Sequence, residues 1–183
     1  MDPKKPITQL TQLTHLTREG NAHMVDVGAK DVTARRALAR ARVRMSRDTF
    51  VRLVAGDTPK GDVLAAARIA GIQAAKRTSE LIPLCHMVNL TRVEVTINLD
   101  DHESRVAVID ASAEARDRTG VEMEAMVAAS TAALTLYDML KAVDRGMSFD
   151  VCLVEKTGGK SGTWQREEED EDTQVTVIGK GTP

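Results

Sequence analysis

The order of elements in this 183-residue chain predicts an α+β sandwich of βαββαβ order, an antiparallel sheet with helices on one face. Three observations predict it. Residues 37–45 alternate, with Ala37, Ala39, Ala41, Val43 and Met45 on one side and Leu38, Arg40, Arg42 and Arg44 on the other, the period of a half-buried strand with a basic outer face. Residues 87–99 and 105–115 alternate in the same way around the turn at 100–104, which reads as a β-hairpin. Residues 119–141 carry the strongest helical period, with Ala125, Ala128, Ala129, Ala132 and Ala133 forming a stripe of small side chains that admits another backbone closely. Together these make a ferredoxin-like pattern.

In chain order, residues 1–20 hold prolines, threonines and glutamines without a sustained period and read as a flexible arm. A short strand-like stretch at 22–27 and a charged connection at 30–36 lead into the first long strand. Its arginine row has an ordinary explanation, since a charged face keeps one side of a sheet wet. Residues 46–55 read as a short helix ended by Gly56 and Asp57, and Lys60-Gly61-Asp62 introduces a second helical run over 63–78. A lysine beside a helix start opposes the dipole, although a solvated lysine on a loop tip is the common case. At residues 81–86 an apolar segment is turned by Pro83 and ends in Cys85-His86. No CxxC, HxxxH or second His/Cys cluster completes a metal or nucleophile set there. A histidine satisfied by backbone bonds is the plain alternative to the preferred reading, in which His86 donates to an anionic or heterocyclic ligand.

The long helix is expected to start at Thr119, three residues before Glu122, as a capping box. Met123, Met126, Val127, Leu134 and Tyr137 form a second apolar face, leaving Glu124, Thr131, Thr135, Asp138 and Lys141 as the wet strip. Asp138 and Lys141 are one turn apart and able to touch, an arrangement that is ordinarily a surface ion pair. Glu124 and Asp138 are fourteen residues apart, or about 21 Å at the helical rise, too far for one small reaction centre. Two copies of the helix packed antiparallel about a two-fold axis would bring the unlike ends together. After Arg145-Gly146, residues 149–156 form a last strand. Residues 157–162 look like a phosphate loop but lack its first glycine, which falls at Val154; the glycines around Lys160 can still shape an anion nest.

Composition narrows the function. The formal charge is −2, but residues 166–183 hold six acids and two bases, so the rest of the chain has 23 basic and 21 acidic residues, too weak a surplus to imply duplex nucleic acid. Aromatics make up 2% of the chain, too few for a base-stacking RNA module. Two cysteines, no apolar run of 18 residues and a polar N-terminus suit a soluble, cytoplasmic protein with no membrane partner.

Long blocks of the chain resemble the molybdenum cofactor biosynthesis protein C family of cyclic pyranopterin monophosphate synthases. They are His23-Met-Val-Asp-Val27, Lys60-Gly-Asp62, the run 67–78, Leu81-Ile-Pro-Leu-Cys-His86, Gly120-Val-Glu-Met-Glu-Ala125, Tyr137-Asp-Met139 with Lys141, and Lys156 with Gly158-Gly-Lys-Ser-Gly162. The resemblance covers residues 14–164. It implies a domain at 21–164, between the arm at 1–20 and an acidic tail at 165–183, in a homohexamer built as a trimer of dimers with sites between subunits. The implied reaction converts (8S)-3′,8-cyclo-7,8-dihydroguanosine 5′-triphosphate to cyclic pyranopterin monophosphate and releases diphosphate. By position, Lys60, Asp138 and Lys141 match the family's catalytic group. Leu84, Cys85, His86, Met123 and Glu124 match its substrate-binding segments, and Glu122, Arg35 and Lys156 match other polar positions of the pocket.

The chemistry of these residues agrees. A triphosphate with about four negative charges wants several direct cationic donors, so no cofactor and no protein-held metal is expected, and Mg²⁺ can accompany the triphosphate. A lysine lowered by neighbouring cations can move protons near neutral pH, which suits Lys60 as general acid/base with Lys141 in support and Asp138 orienting. The competing reading is a non-catalytic ferredoxin-like module that binds a phosphorylated small molecule, but it gives no reason for Asp138 and Lys141 on the long helix.

Overall fold

Alternation between small apolar and charged residues builds the middle of the sheet, where the first, third and fourth strands run longer than their periods suggest and the second runs shorter. A computed structural model describes residues 20–99 and 103–167. Its elements are β1 (Thr33–Arg44), α1 (Arg47–Ala55), α2 (Val63–Ala75), α3 (Thr78–Leu81), β2 (Leu90–Asn98), β3 (Val106–Asp117), α4 (Glu122–Leu140), β4 (Ser148–Thr157) and β5 (Trp164–Gln165). The strands lie in the order β2-β3-β1-β4-β5, every neighbouring pair antiparallel, so the fold is the α+β sandwich of ferredoxin-like βαββαβ order with one short added strand. The expected N-terminal arm, apart from Gly20, and the acidic tail beyond Glu167 lie outside the described residues.

β1 is the spine. It pairs with β3 from Thr33↔Asp117 to Arg44↔Val106 and with β4 on its other side, where the register shifts between Leu38 and Ala39. Ala37, Ala39, Ala41 and Val43 are buried, as are Ala107, Ile109, Ala111, Ala113 and Ala115 on the same face of β3. The alanine stripe of α4 packs between these strands and α2, with Ala125, Ala128, Ala129, Ala132 and Ala133 fully buried. Large side chains are few, and Phe50, Ile109, Leu136 and Leu140 each contribute roughly 1.5–3 kcal/mol by burial. α2 crosses α4 at Gly71, where a Cβ would stand 2.9 Å from the Ala128 carbonyl oxygen. Outside, three arginines of β1 are paired across the sheet. Arg40 holds Asp110 through two bonds of 2.7 and 2.9 Å, Arg36 reaches Glu155 at 3.1 Å, and Arg44 meets Asp150.

Several local expectations change. Residues 22–27 form no strand, only an isolated bridge at Ala22, and β1 begins at Thr33 inside the presumed connection. The second helical run stops at Ala75, and α3 follows after a turn. Most consequential, Thr119 does not cap the long helix: α4 begins at Glu122 with Val121 as N-cap and no side-chain cap bond. Glu122 instead folds its carboxylate back over Gly120, where a Cβ would lie 1.8 Å from Oε2. Thr119 and Gly120 are thereby left free to line cavities.

Candidate active site

The two ends of α4 carry different chemistry. At the C-terminal end, Gly61 adopts a left-handed φ of 80°, and Asp62 caps α2 by accepting from Ala65 N at 2.9 Å. This turn presents Lys60 to α4. Lys60 Nζ donates to Asp138 Oδ2 at 2.9 Å and to the Asp138 backbone oxygen at 3.0 Å, satisfying a carbonyl of the last helical turn. Lys141 Nζ meets Asp138 Oδ1 at 2.6 Å from one turn on. The Lys141 and then the Lys60 hydrogen bonds hold the Asp138 carboxyl down at about 2, and Asp138 in turn raises Lys141. Asp138 is therefore a fixed negative charge between two ammonium groups, and Lys141 moves away from neutrality rather than toward it. All three side chains are about half exposed and can meet a ligand.

At the N-terminal end two cavities open side by side. The smaller, of about 260 Å³, is walled by Leu84, Cys85, His86, Met123, Glu124 and Val25. His86 Nε2 lies 2.7 Å from the Val25 backbone oxygen, so this nitrogen carries the proton and pins the 25–30 segment. The plain alternative thus accounts for Nε2, and Nδ1 is the ring nitrogen left to meet a ligand. Glu124 is 4% exposed and is pushed up to about 7, first by burial, then by Glu122 and Asp117, against the pull of its own backbone N–H. It does not sit on the wet strip assigned to it. Burial and then Glu124 raise Cys85, so Cys85 is a thiol that packs and not a thiolate nucleophile.

The larger cavity, of about 920 Å³, is basic, with Lys30, Arg35, Arg118, Lys156 and Lys160 on its walls. Arg35 donates to the Asp117 and Arg118 carbonyls at 3.3 and 3.4 Å, and Lys156 reaches Ser161. Glycine is required in this loop: at Gly158 (φ 92°) a Cβ would run into the Ala34 carbonyl, and at Gly159 (φ 72°) into the Arg35 guanidinium. Thr33 Oγ1, on a residue lining this cavity, is buried without a hydrogen-bond partner. Sequence reasoning missed Lys30, Arg118 and Thr33, which stand outside any periodic pattern; the basic pair Arg116 and Arg118 just before α4 was the available signal. Among the described residues no group of three or more His, Cys, Asp or Glu is placed to hold a metal ion, and no helix is long and apolar enough to cross a membrane.

The structure therefore brings Lys60, Asp138 and Lys141 together, and separately gathers Leu84, Cys85, His86, Met123 and Glu124 with Glu122, which also lines the cavity of Arg35 and Lys156. About 21 Å of α4 separates Glu124 from Asp138. A ferredoxin-like sandwich with a basic cavity beside a buried carboxylic acid, and a Lys–Asp–Lys cluster on the same helix, is the equipment of an enzyme that acts on a small anionic molecule. The MoaC family model matches residues 24–159, and the chain belongs to that family. Similar proteins include the cyclic pyranopterin monophosphate synthase of Thermomicrobium roseum, 54% identical over 162 residues, which are 88% of this chain and 97% of that protein. The synthase of Chloroflexus aggregans is 55% identical over 87% of this chain and 96% of its own, and that of Roseiflexus sp. is 58% identical over 84% and 97%.

Proposed function

We propose that this chain is a cyclic pyranopterin monophosphate synthase of molybdenum cofactor biosynthesis, converting (8S)-3′,8-cyclo-7,8-dihydroguanosine 5′-triphosphate to cyclic pyranopterin monophosphate with release of diphosphate. The observation that carries this is identity of more than half over nearly the full length of relatives bearing that name. The geometry fits it. The smaller cavity takes the ring system against His86 and Glu124, and the basic cavity takes the phosphates, whose about four negative charges match its direct donors. Mg²⁺, when present, travels with the triphosphate as part of the substrate. The protein works in the cytoplasm, consistent with two cysteines, neither in a disulfide.

Lys60 acts as general acid/base, Lys141 supports phosphate or proton transfer, and Asp138 holds both lysines in place. Since these lie about 21 Å from Glu124 along α4, the complete site combines the Lys60 end of one copy with the Glu124 end of another, within a homohexamer built as a trimer of dimers. Exposed Ile69 on α2 and Leu134 on α4 supply apolar surface for that pairing. Supplying the cyclised GTP substrate to purified protein should yield diphosphate and a pyranopterin; stoichiometric binding without turnover would leave only a binding module. Lys60→Met should abolish diphosphate release while preserving assembly, and an active variant refutes its role. Mixing inactive Lys60→Met with inactive Arg35→Met chains should restore up to about a quarter of wild-type activity when subunits redistribute at random over shared sites. No recovery after demonstrated subunit exchange rules out sharing.

A further inference from the structure

Lys30 stands where the two cavities join. Lys30, Thr119, Gly120 and Glu122 line both of them. The backbone of Lys30 is fixed from two directions: its N–H donates to Val27 O at 3.0 Å, and its carbonyl accepts from Arg118 Nε at 3.0 Å. His86 holds the same segment through Val25. The ammonium group, by contrast, has no hydrogen-bond or ion-pair partner among the described residues. Arg35 and Arg118 are tied to backbone carbonyls and Lys156 to Ser161, while Lys160, whose ammonium is also without a partner among the described residues, lines the basic cavity and not the smaller one. Lys30 is a pre-positioned but unspent positive charge at a junction whose other charged wall is the Glu122 carboxylate. On the basic side, the orphaned Thr33 hydroxyl marks a place where a ligand oxygen or water completes the hydrogen bonding.

We infer that Lys30 is a catalytic residue which binds the phosphate adjoining the ring system and stabilises the charge that develops as diphosphate leaves it. The inference rests on the proposed synthase reading. A substrate with its rings in the smaller cavity and its terminal phosphates in the basic one must cross the junction with the phosphate that the product retains. In the closing step a hydroxyl oxygen of the same molecule bonds to that phosphorus. The bond from phosphorus to the bridging oxygen breaks, its electron pair departs with diphosphate, and the hydroxyl proton passes to a base. Negative charge grows on the bridging oxygen only as the bond breaks, so a cation fixed beside it favours the transition state over the bound substrate.

The test compares wild type, Lys30→Met and Lys30→Arg with the cyclised GTP substrate, measuring diphosphate release in single turnover and substrate affinity by calorimetry. Removing one charge-stabilising donor lowers kcat by about 100-fold or more. Lys30→Met should show that loss with affinity changed less than tenfold, and Lys30→Arg should recover to within about tenfold of wild type. Because the side chain is exposed, both variants should unfold at the wild-type temperature. A Lys30→Met enzyme with kcat within twofold of wild type overturns the inference, as does one that loses affinity alone. A wild-type protein that releases no diphosphate overturns the synthase reading itself, so the two failures are distinguishable.

Discussion

Glu124 provides the sharpest quantitative expectation. Its carboxyl is held at about 7 in the folded chain, against 4.5 for the free group. Between those values the native state keeps a proton that the unfolded state has lost, so stability falls as pH rises from about 4.5 to 7 and levels off above. At about 1.36 kcal/mol per pH unit the whole shift corresponds to at most about 3 kcal/mol. The carboxyl borders a cavity that solvent enters, and screening there reduces the expected change to about 1–2 kcal/mol. Glu124→Gln keeps the shape and removes the titration. Urea unfolding of both proteins at one chain concentration, at pH 5, 6, 7 and 8, should show Glu124→Gln gaining about 1–2 kcal/mol on wild type across the series. A difference constant to within about 0.3 kcal/mol would mean that Glu124 is ionised throughout, and the burial account would fail.

Two further outcomes follow from packing and charge. Asp138→Asn removes the anion between Lys60 and Lys141 while leaving the fold intact, and diphosphate release should drop by about 100-fold; a wild-type rate would show that the cluster is only a surface ion pair. With Asp138 held at about 2, the wild-type pH–rate profile should carry no inflection from it above pH 4. Gly71→Ala places a methyl group 2.9 Å from Ala128 O and 3.3 Å from Ala132 Cβ, so strain of about 1–3 kcal/mol should outweigh the helix-propensity gain and lower the thermal midpoint. An unchanged or raised midpoint would show that α2 moves off α4 freely.

Much of the architecture was legible because it follows local periods. The alternation of β1, the β2–β3 hairpin and the alanine stripe of α4 each fix an element and its inward face. Less legible were features set by tertiary contacts. Thr119 has the residue type and spacing of a cap, but Glu122 turns back over Gly120 instead, and nothing local to residues 119–122 reveals that. Segment 22–27 is apolar enough for a strand yet is held as a loop by the His86–Val25 bond, formed across 61 residues. Burial of Glu124 had a readable signal: it heads the line Ala128, Ala132, Leu136, Leu140 at steps of four, and every member is buried. The Lys60–Asp138–Lys141 cluster was half visible, since the Asp138–Lys141 spacing is local while the arrival of Lys60 depends on how α2 packs against α4.

The alanine seam under α4 has a mechanical consequence. A helix seated on leucines rests on side chains that can change rotamer and absorb small displacements, whereas alanine has no rotamers to change. With Ala125, Ala128, Ala129, Ala132 and Ala133 all buried, and Ala128 and Ala132 set against Gly71 of α2, α4 is bedded closely between the sheet and α2. It therefore behaves as a stiff spacer, setting the separation of Glu124 and Asp138 within a chain. A bulkier residue anywhere along the seam would tilt or lift the whole rod and displace both ends at once, although it touched neither.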